Sequence, residues 1–371
     1  MNFIKKLSSK LLLSVIVLAL LTAWTVTSSH AAPNRQDGPV YIVQQGDTLG
    51  SIALRFGLSP DELAAANNIA DPNALFIGQR LVIPGLEGIS GVLTSQTLPF
   101  GASLASLVRQ YNLDQKDLVF LNRLASPSEL IAGVKFIIPI NEEEAPLTPL
   151  VSPQPGSTLL EIAMLSGTSP WLLVEENHTK GTWDILPGET LYAATSEENL
   201  GDSVFPAPIA GIKVNNLPVI QGETLHITVS ATTPIDLQGK FDQRELTFFT
   251  GDDQNYHTFH GIHALAEPGP VPMEISVSDE NGNTRRYQQL VMIAEGGYGN
   301  EWVNVPEEYL DEAVIAEEDA FLQPILDVVS PQKHWDGKFQ YPVDEPCINS
   351  QFGQRRDYNN GGLFFYHTGM D

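Results

Sequence analysis

His367 and Asp371 stand four residues apart in "YHTGMD", with Gly369 between them. An imidazole nitrogen and a carboxylate oxygen are both zinc ligands, and a catalytic zinc site takes three protein ligands and a water. Gly369 favours a turn after a strand over a helix, so Asp371 is expected to fold back beside His367. Two other places gather reactive side chains. His257, His260 and His263 recur at every third residue of "YHTFHGIHAL", a spacing that on a helix could collect a metal. Gly261 and the strand-rich surroundings argue instead for a strand, on which successive members of such a series point to opposite faces. Cys347 is the one cysteine, so no intrachain disulfide forms, and nothing in "YPVDEPCINS" supplies it with a partner base.

These residues must be positioned by a chain of 371 residues whose 42% hydrophobic content is enough for several packed cores. A formal charge of −25 repels nucleic acid and excludes it as a partner. Residues 1–31 read as a secretory signal peptide: Lys5, Lys6 and Lys10 precede an apolar run from Leu11 to about Ala23, and small residues suit cleavage after Ala31. The run is short against the ~20 residues a spanning helix needs, and no cysteine near the cleavage site could take lipid. Export to the cell envelope or beyond is expected, with no membrane contact after cleavage; an uncleaved leader would serve as an anchor.

The same landmarks recur three times at a constant offset of 55 residues. Gly46, Gly101 and Gly156 open the units, followed by Leu49, Leu104 and Leu159, then Ile52, Leu107 and Ile162. Leu63, Leu118 and Leu173 continue the series, as do Asn67, Asn122 and Asn177, then Gly78, Gly133 and Gly188. In the first copy "YIVQ" reads as a strand, Thr48 as the cap of a helix ending near Gly57, and Ser59 with Glu62 as the capping box of a second helix. "QRLVIP" is a closing strand. The unit is therefore β-α-α-β, with one small core.

Tyr41 to Pro84, with "GDTL" and "NNIADPNALFIGQRLVIP", resembles a LysM module. The resemblance implies binding of the N-acetylglucosamine-containing glycan of peptidoglycan or chitin in a shallow groove. Carried over, the groove uses Gly46, Asp47, Thr48 and Leu49 on one side and Ala74, Leu75, Phe76 and Ile77 on the other. Backbone amides and carbonyls would pair with acetamido groups while apolar side chains cover the methyls. The second copy has "GASL" in place of "GDTL", and the third lacks the closing proline. The fold is expected in all three, and the glycan site chiefly in the first.

The expected organisation is multidomain α+β: signal peptide 1–31, LysM-like modules at 40–85, 91–140 and 149–195, an antiparallel β-sandwich at 206–296, an acidic helical connector at 297–336, and the start of a β-rich metallopeptidase domain at 337–371. "NEEEAPLTPLVSPQP" reads as an extended spacer. Period-two alternation in "LHITVS" and "MEISVS" and the turn "DENGN" give the sandwich its strands. "VIQGETLHITVS", "GKFDQRELTFF" and the later "EWVNVP" resemble the β domain that precedes the catalytic part of some envelope metallopeptidases, which implies a spacing or inhibitory role. In the connector, Ala313, Phe321, Ile325 and Leu326 are expected to make apolar contacts. "KFQYPV" reads as a strand.

Preceded by "FGQRR", the pair His367 and Asp371 resembles the first half of the lysostaphin-type, or LytM-type, zinc metallopeptidase signature. Phe352, Gly353, Arg355, His367, Gly369 and Asp371 match it position by position. The resemblance implies that His367 and Asp371 bind one zinc ion, that a later His-x-His supplies the third ligand and a catalytic histidine, and that water attacks a peptide bond in peptidoglycan stems or crosslinks. No residue follows Asp371, so the expectation is a C-terminally truncated, inactive fragment of a zinc endopeptidase. The alternative is a non-catalytic peptidoglycan-binding protein or activator of other hydrolases.

Overall fold

The helices of the three units are set by their first turns, where side chains accept from amides that have no partner within the helix. The computed structural model describes residues 38–86, 88–143, 145–194, 205–330, 332–335, 337–341, 343–344, 347–361 and 363–369; the expected signal peptide and Asp371 lie outside them. The first unit contains β1 (Val40–Ile42), α1 (Leu49–Phe56), α2 (Pro60–Ala66) and β2 (Arg80–Val82). Thr48 caps α1 in a reciprocal box with Ser51, and Ser59 caps α2 in one with Glu62. Gly57 ends α1 at φ 74°, a left-handed conformation that costs glycine nothing. The second unit repeats the plan with β3 (Val92–Thr97), α3 (Leu104–Tyr111), α4 (Gln115–Leu121) and β4 (Lys135–Ile140). The third does so with β5 (Thr148–Val151), α5 (Leu159–Leu165), α6 (Pro170–Glu176) and β6 (Leu191–Ala193). Its first strand is drawn from the stretch expected to be a spacer.

One asparagine per unit ties the second helix to the closing strand. Asn67 donates from Nδ2 to the carbonyls of Leu63 (2.9 Å) and Val82 (2.9 Å) and accepts on Oδ1 from the Val82 amide (2.7 Å). Asn122 does the same with Leu118 (3.0 Å) and Ile137 (2.8 and 2.7 Å), and Asn177 with Leu173 (2.9 Å) and Tyr192 (2.7 Å each way). The carboxamide thus pairs with the strand as a neighbouring peptide group would.

The first two units share a sheet of order β2-β1-β3-β4, in which β1 runs parallel to β3 (Val40↔Val92, Tyr41↔Leu93) and the other pairs are antiparallel. The first unit's core, with Tyr41, Leu49, Ile52 and Leu63, extends onto Leu93, Leu121 and Ile137 of the second. The second unit keeps a core of its own around Leu98, Leu104, Leu107, Leu118 and Phe136, as expected, and what joins the two is β3 covering the open edge of β1, since a pair of three-residue strands is marginal alone. The third unit keeps its own two-stranded sheet and a core of Leu150, Leu159, Ile162, Leu173 and Leu191. Arg109 of α3 joins it to the second, reaching Glu189 (2.6 Å) and the carbonyls of Asn177 (3.3 Å) and Thr190 (3.2 Å).

Nine strands follow: β7 (Ile209–Val214), β8 (Val219–Ile220), β9 (Thr224–Ala231), β10 (Asp236–Phe241), β11 (Arg244–Leu246), β12 (Phe249–Thr250), β13 (Tyr256–Gly261), β14 (Gly269–Ser278) and β15 (Thr284–Ala294). They form two sheets, β11-β10-β14-β15-β8 and β12-β13-β9-β7, around a common core that includes Leu225, Ile227 and Val229 from one and Met273, Ile275 and Val277 from the other. Alternating burial along β9 and β14 follows the period-two pattern of their sequences.

Beyond the sandwich lie β16 (Asn300–Val303), α7 (Glu312–Leu326), β17 (Arg355–Tyr358) and β18 (Leu363–Tyr366), with a sheet order of β16-β17-β18. Three expectations change. Residues 300–303 belong to the terminal sheet and not to a connector, because β16 pairs in parallel with β17. The described residues of "KFQYPV" form no strand. The helix α7 forms but has no buried residue, and Phe321, Ile325 and Leu326 stay exposed: its apolar positions find no facing surface among the described residues.

Replacing Asn177 by Leu keeps the volume but strands the amide and carbonyl of Tyr192. The expected cost is about 2 kcal/mol, seen as roughly thirtyfold faster hydrogen exchange of the Tyr192 amide.

Candidate glycan groove and candidate metal centre

Asp47 lies in the turn between β1 and α1, and its carboxylate points inward. Oδ2 accepts from the Gln44 amide (2.8 Å) and the Tyr41 hydroxyl (2.7 Å), while Arg55 sits 3.8 Å away and donates to the same hydroxyl (2.8 Å). Burial first, then the bond to Asp47, push the Tyr41 phenol up from its ordinary pKa. Thr48 spends its hydroxyl on capping α1, and Leu49 is in the core. These three side chains therefore build the turn. Tyr41, Asp47 and Arg55 are replaced together in the second unit, by Gln96, Ala102 and Gln110, as expected of groups that satisfy one another.

What faces outward is backbone. Among the described residues, the Gly46 amide, the Leu75 carbonyl, and both the amide and carbonyl of Ile77 have no hydrogen-bond partner. Gly46 holds φ +85° at the open end of the turn, with nothing above its Cα. Beside these groups, Phe76 and Ile77 are 65% and 67% exposed, and Leu75 packs inward against the core. Ala74 is exposed, its amide donating to Asp71 (3.0 Å). Unpaired donors and acceptors next to large apolar side chains suit a neutral amide-bearing ligand, since both halves of an acetamido group find complements.

At the other end of the chain, His367 follows β18 and is 6% exposed. Its amide donates to the Gln354 carbonyl (2.8 Å), and its carbonyl accepts from Gly353 (2.8 Å). Nδ1 lies 3.1 Å from Ser350 Oγ and 3.2 Å from the Gln351 carbonyl. A carbonyl only accepts, so Nδ1 is the donor there, the orientation in which a metal-ligating imidazole turns Nε2 to the ion. Ser350 is held in turn by Glu301 (3.0 Å), Gln354 (2.7 Å) and Arg356 (3.1 Å), and Arg356 pairs with Glu301 (3.0 Å). Gly369 lies beside Nε2, where a Cβ would stand 3.8 Å away in ordinary contact.

Phe352 and Gly353 act through Tyr298. Phe352 meets the Tyr298 ring edge-on at 6.5 Å and the Tyr366 ring at 6.0 Å, and Gly353, at φ +85°, lies against Tyr298 where any Cβ would collide. The Tyr298 hydroxyl donates to the Gln221 carbonyl (2.7 Å), and His263 packs on Tyr366 at 4.9 Å, so the terminal sheet leans on the sandwich. Arg355 is exposed, and its amide donates to Gly299 (2.9 Å). Ser350, Glu301, Gln354 and Arg356 escaped the sequence reading; common polar types at irregular spacing carry no local signal. Among the described residues, no three histidine, cysteine, aspartate or glutamate side chains gather as a metal cluster.

The histidine series divides as a strand requires. His257 shares a face of β13 with Phe259, while His260 turns toward Phe241 and His263 lies beyond the strand. His257 Nδ1 is 3.1 Å from His226 Nε2, and its Nε2 is 2.9 Å from Asp253. Burial, then the neighbouring His257, lowers the His226 pKa; burial, then Arg244, lowers that of His260.

Residues 41–84 and 101–139 match the LysM domain family. The chain is 26% identical over 167 residues to LysM domain-containing GPI-anchored protein 2 of Arabidopsis thaliana, a match covering 43% of this chain and 45% of that protein. It is 51% identical over 64 residues to N-acetylmuramoyl-L-alanine amidase XlyA of Bacillus subtilis, covering 17% and 21%. It thus spans under half the length of these relatives. A Pseudomonas aeruginosa structure described as a candidate peptidase M23 superposes at a TM-score of 0.25 and 19% identity, over 37% of this chain and 52% of that one, too partial a likeness to bear on activity.

A histidine held below its unfolded pKa favours folding only while neutral, so its contribution is lost as pH falls from about 6.5 through the folded value. His226 and His260 act in the same direction, so the melting temperature of the sandwich is expected to drop between pH 7 and pH 5. His226→Phe should show a smaller drop in calorimetry over that range.

Proposed function

We propose that this chain is the wall-binding part of an exported peptidoglycan hydrolase, and that its C-terminal segment begins a zinc-dependent endopeptidase of the lysostaphin type acting on stem peptides or crosslinks. The two LysM domains support binding to the N-acetylglucosamine glycan of peptidoglycan. The observation that carries the binding reading is the set of unpaired backbone groups at Gly46, Leu75 and Ile77, flanked by exposed Phe76 and Ile77. An N-acetylglucosamine residue presents an amide N–H, a carbonyl and a methyl. It can satisfy those groups while covering the apolar surface, and this pairing is stereospecific where charge attraction would not be.

The peptidase reading rests on His367. A buried imidazole whose Nδ1 is fixed by the Gln351 carbonyl and Ser350, with Nε2 toward Gly369, fits one ligand position of a zinc site. Asp371 would be the second ligand, and the resemblance to the lysostaphin type implies a His-x-His as the source of the third. Zinc, when bound, would supply a Lewis acid that activates water near neutral pH and polarises the scissile carbonyl. The chain's own contribution is orientation: Glu301 and Arg356 hold Ser350, Ser350 holds the imidazole, and Tyr298 and Phe352 hold the strand.

Binding is tested by titrating an N-acetylglucosamine tetramer into the full chain. Loss of the apolar cover in Phe76→Ala or Ile77→Ala is expected to weaken binding roughly tenfold, about 1.4 kcal/mol, without changing the melting temperature. Wild-type affinity in both variants would defeat the groove assignment. The 371-residue chain incubated with zinc and crosslinked peptidoglycan is expected to release no peptide; cleavage would show that it already holds a complete site.

A further inference from the structure

The groove just described has a counterpart in the second unit at an offset of 55 residues, where Gly101 stands for Gly46, Leu130 for Leu75 and Ala132 for Ile77. There the same backbone groups are bonded. The Gly101 amide donates to Gln289 Oε1 (2.7 Å), and Gln289 Nε2 donates to the Leu130 carbonyl (2.8 Å) and reaches the Ala102 carbonyl at 3.5 Å. The Ala132 amide donates to the Leu290 carbonyl (2.8 Å), and the Ala132 carbonyl accepts from the Met292 amide (2.8 Å). Gln289, Leu290 and Met292 all belong to β15 of the sandwich. The exposed apolar pair of the first unit becomes Ile131 and Ala132, and Ala132 is fully buried in the sandwich core.

We propose that the second module's groove is the socket by which the modules hold the sandwich. The Gln289 carboxamide takes the hydrogen-bonding positions that an acetamido group takes in the first module, so sandwich docking and glycan capture by the second module exclude each other. The inference rests on the glycan-groove reading of the first module. Chemically the two occupants are alike: both are planar neutral amides with a carbonyl acceptor and an N–H donor, glutamine carrying a second N–H besides. The contact also serves the sandwich, since β15 pairs with β8 only at Ile293 and Ala294 and would otherwise leave its edge open near Val291, where Ala132 bridges it in parallel. Gly133, at φ +93°, is left-handed like its counterparts Gly78 and Gly188, and it alone of the three packs against Pro218, where a Cβ would stand 3.0 Å from the backbone. The first module stays available for the wall, while the second gives the chain a fixed joint.

The test is amide hydrogen exchange by mass spectrometry on the full chain, wild type and Gln289→Ala, with and without the N-acetylglucosamine tetramer. Gln289→Ser, which also vacates the groove, replaces the alanine variant should that one fold poorly. In the wild type the sugar should slow exchange in peptides carrying Gly46 and leave those carrying Gly101 unchanged. In the variant, Gly101 should exchange roughly fivefold faster without sugar, one hydrogen bond's worth, and be slowed again when sugar is added. Protection of Gly101 by sugar in the wild type would overturn the proposal. So would wild-type exchange at Gly101 in the variant, or a faster Gly101 that sugar does not slow. Absence of protection at Gly46 would remove the glycan reading of the first module, a separate outcome read at a separate amide.

Discussion

An asparagine carboxamide standing in for a peptide group is the interaction on which each repeat turns. Asn67, Asn122 and Asn177 each bridge the C-terminal turn of a helix to the closing strand through three bonds of 2.7–3.0 Å. Units with three- to six-residue ladders have few backbone bonds to spare, so a side chain that completes the ladder fixes where the strand lies relative to the helices. The groove follows from that placement. It runs between the turn before the first helix and the loop before the closing strand, and both are set by the frame the asparagine locks. Its backbone groups are paired in the second module by β15 of the sandwich, and in the first module no segment among the described residues takes that place.

The same chemistry joins the larger parts. Gln289 reads the second module's groove, and Gln221, almost fully buried, donates to the Ala266 carbonyl and accepts from the Gly296 amide (3.0 Å) where the chain leaves the sandwich. Neutral amides make these joints without leaving a charge out of water, which matters where the contact surface is half-buried. Charge is used more sparingly, in Arg109 with Glu189 between the second and third units and Arg356 with Glu301 beneath His367. In both pairs additional hydrogen bonds accompany the ions, the condition under which partly buried pairs hold. A chain rich in acidic groups can thus dock its parts through surfaces that carry little net charge.

Several features were legible from residue types alone. Thr48, Ser59 and Glu62 cap helices where their spacing puts them, the asparagines recur in register, and the alternation in "LHITVS" is the alternation of burial along β9. The role of Asp47 was not legible as a contact: its carboxylate serves Tyr41 and Gln44, and the groove is made of backbone, which a sequence of side chains does not display. The expected apolar contacts of Phe321, Ile325 and Leu326 failed for a different reason, since helical spacing shows which face is apolar but not whether a surface lies opposite it.

The sequence by itself determined what short-range interactions settle: the caps, the repeat of 55 residues, the strand periods and the identity of His367 as a turn-flanked imidazole. Only the tertiary structure decided that β1 and β3 fuse two units into one sheet, that Ser350 and Glu301 steady His367, and that Gln289 fills the second groove from 159 to 188 residues away in sequence. The physical reason is range. Caps and periods are fixed by groups three or four residues apart, whereas pairing of distant strands and amides depends on which surfaces remain unsatisfied once every local bond has formed.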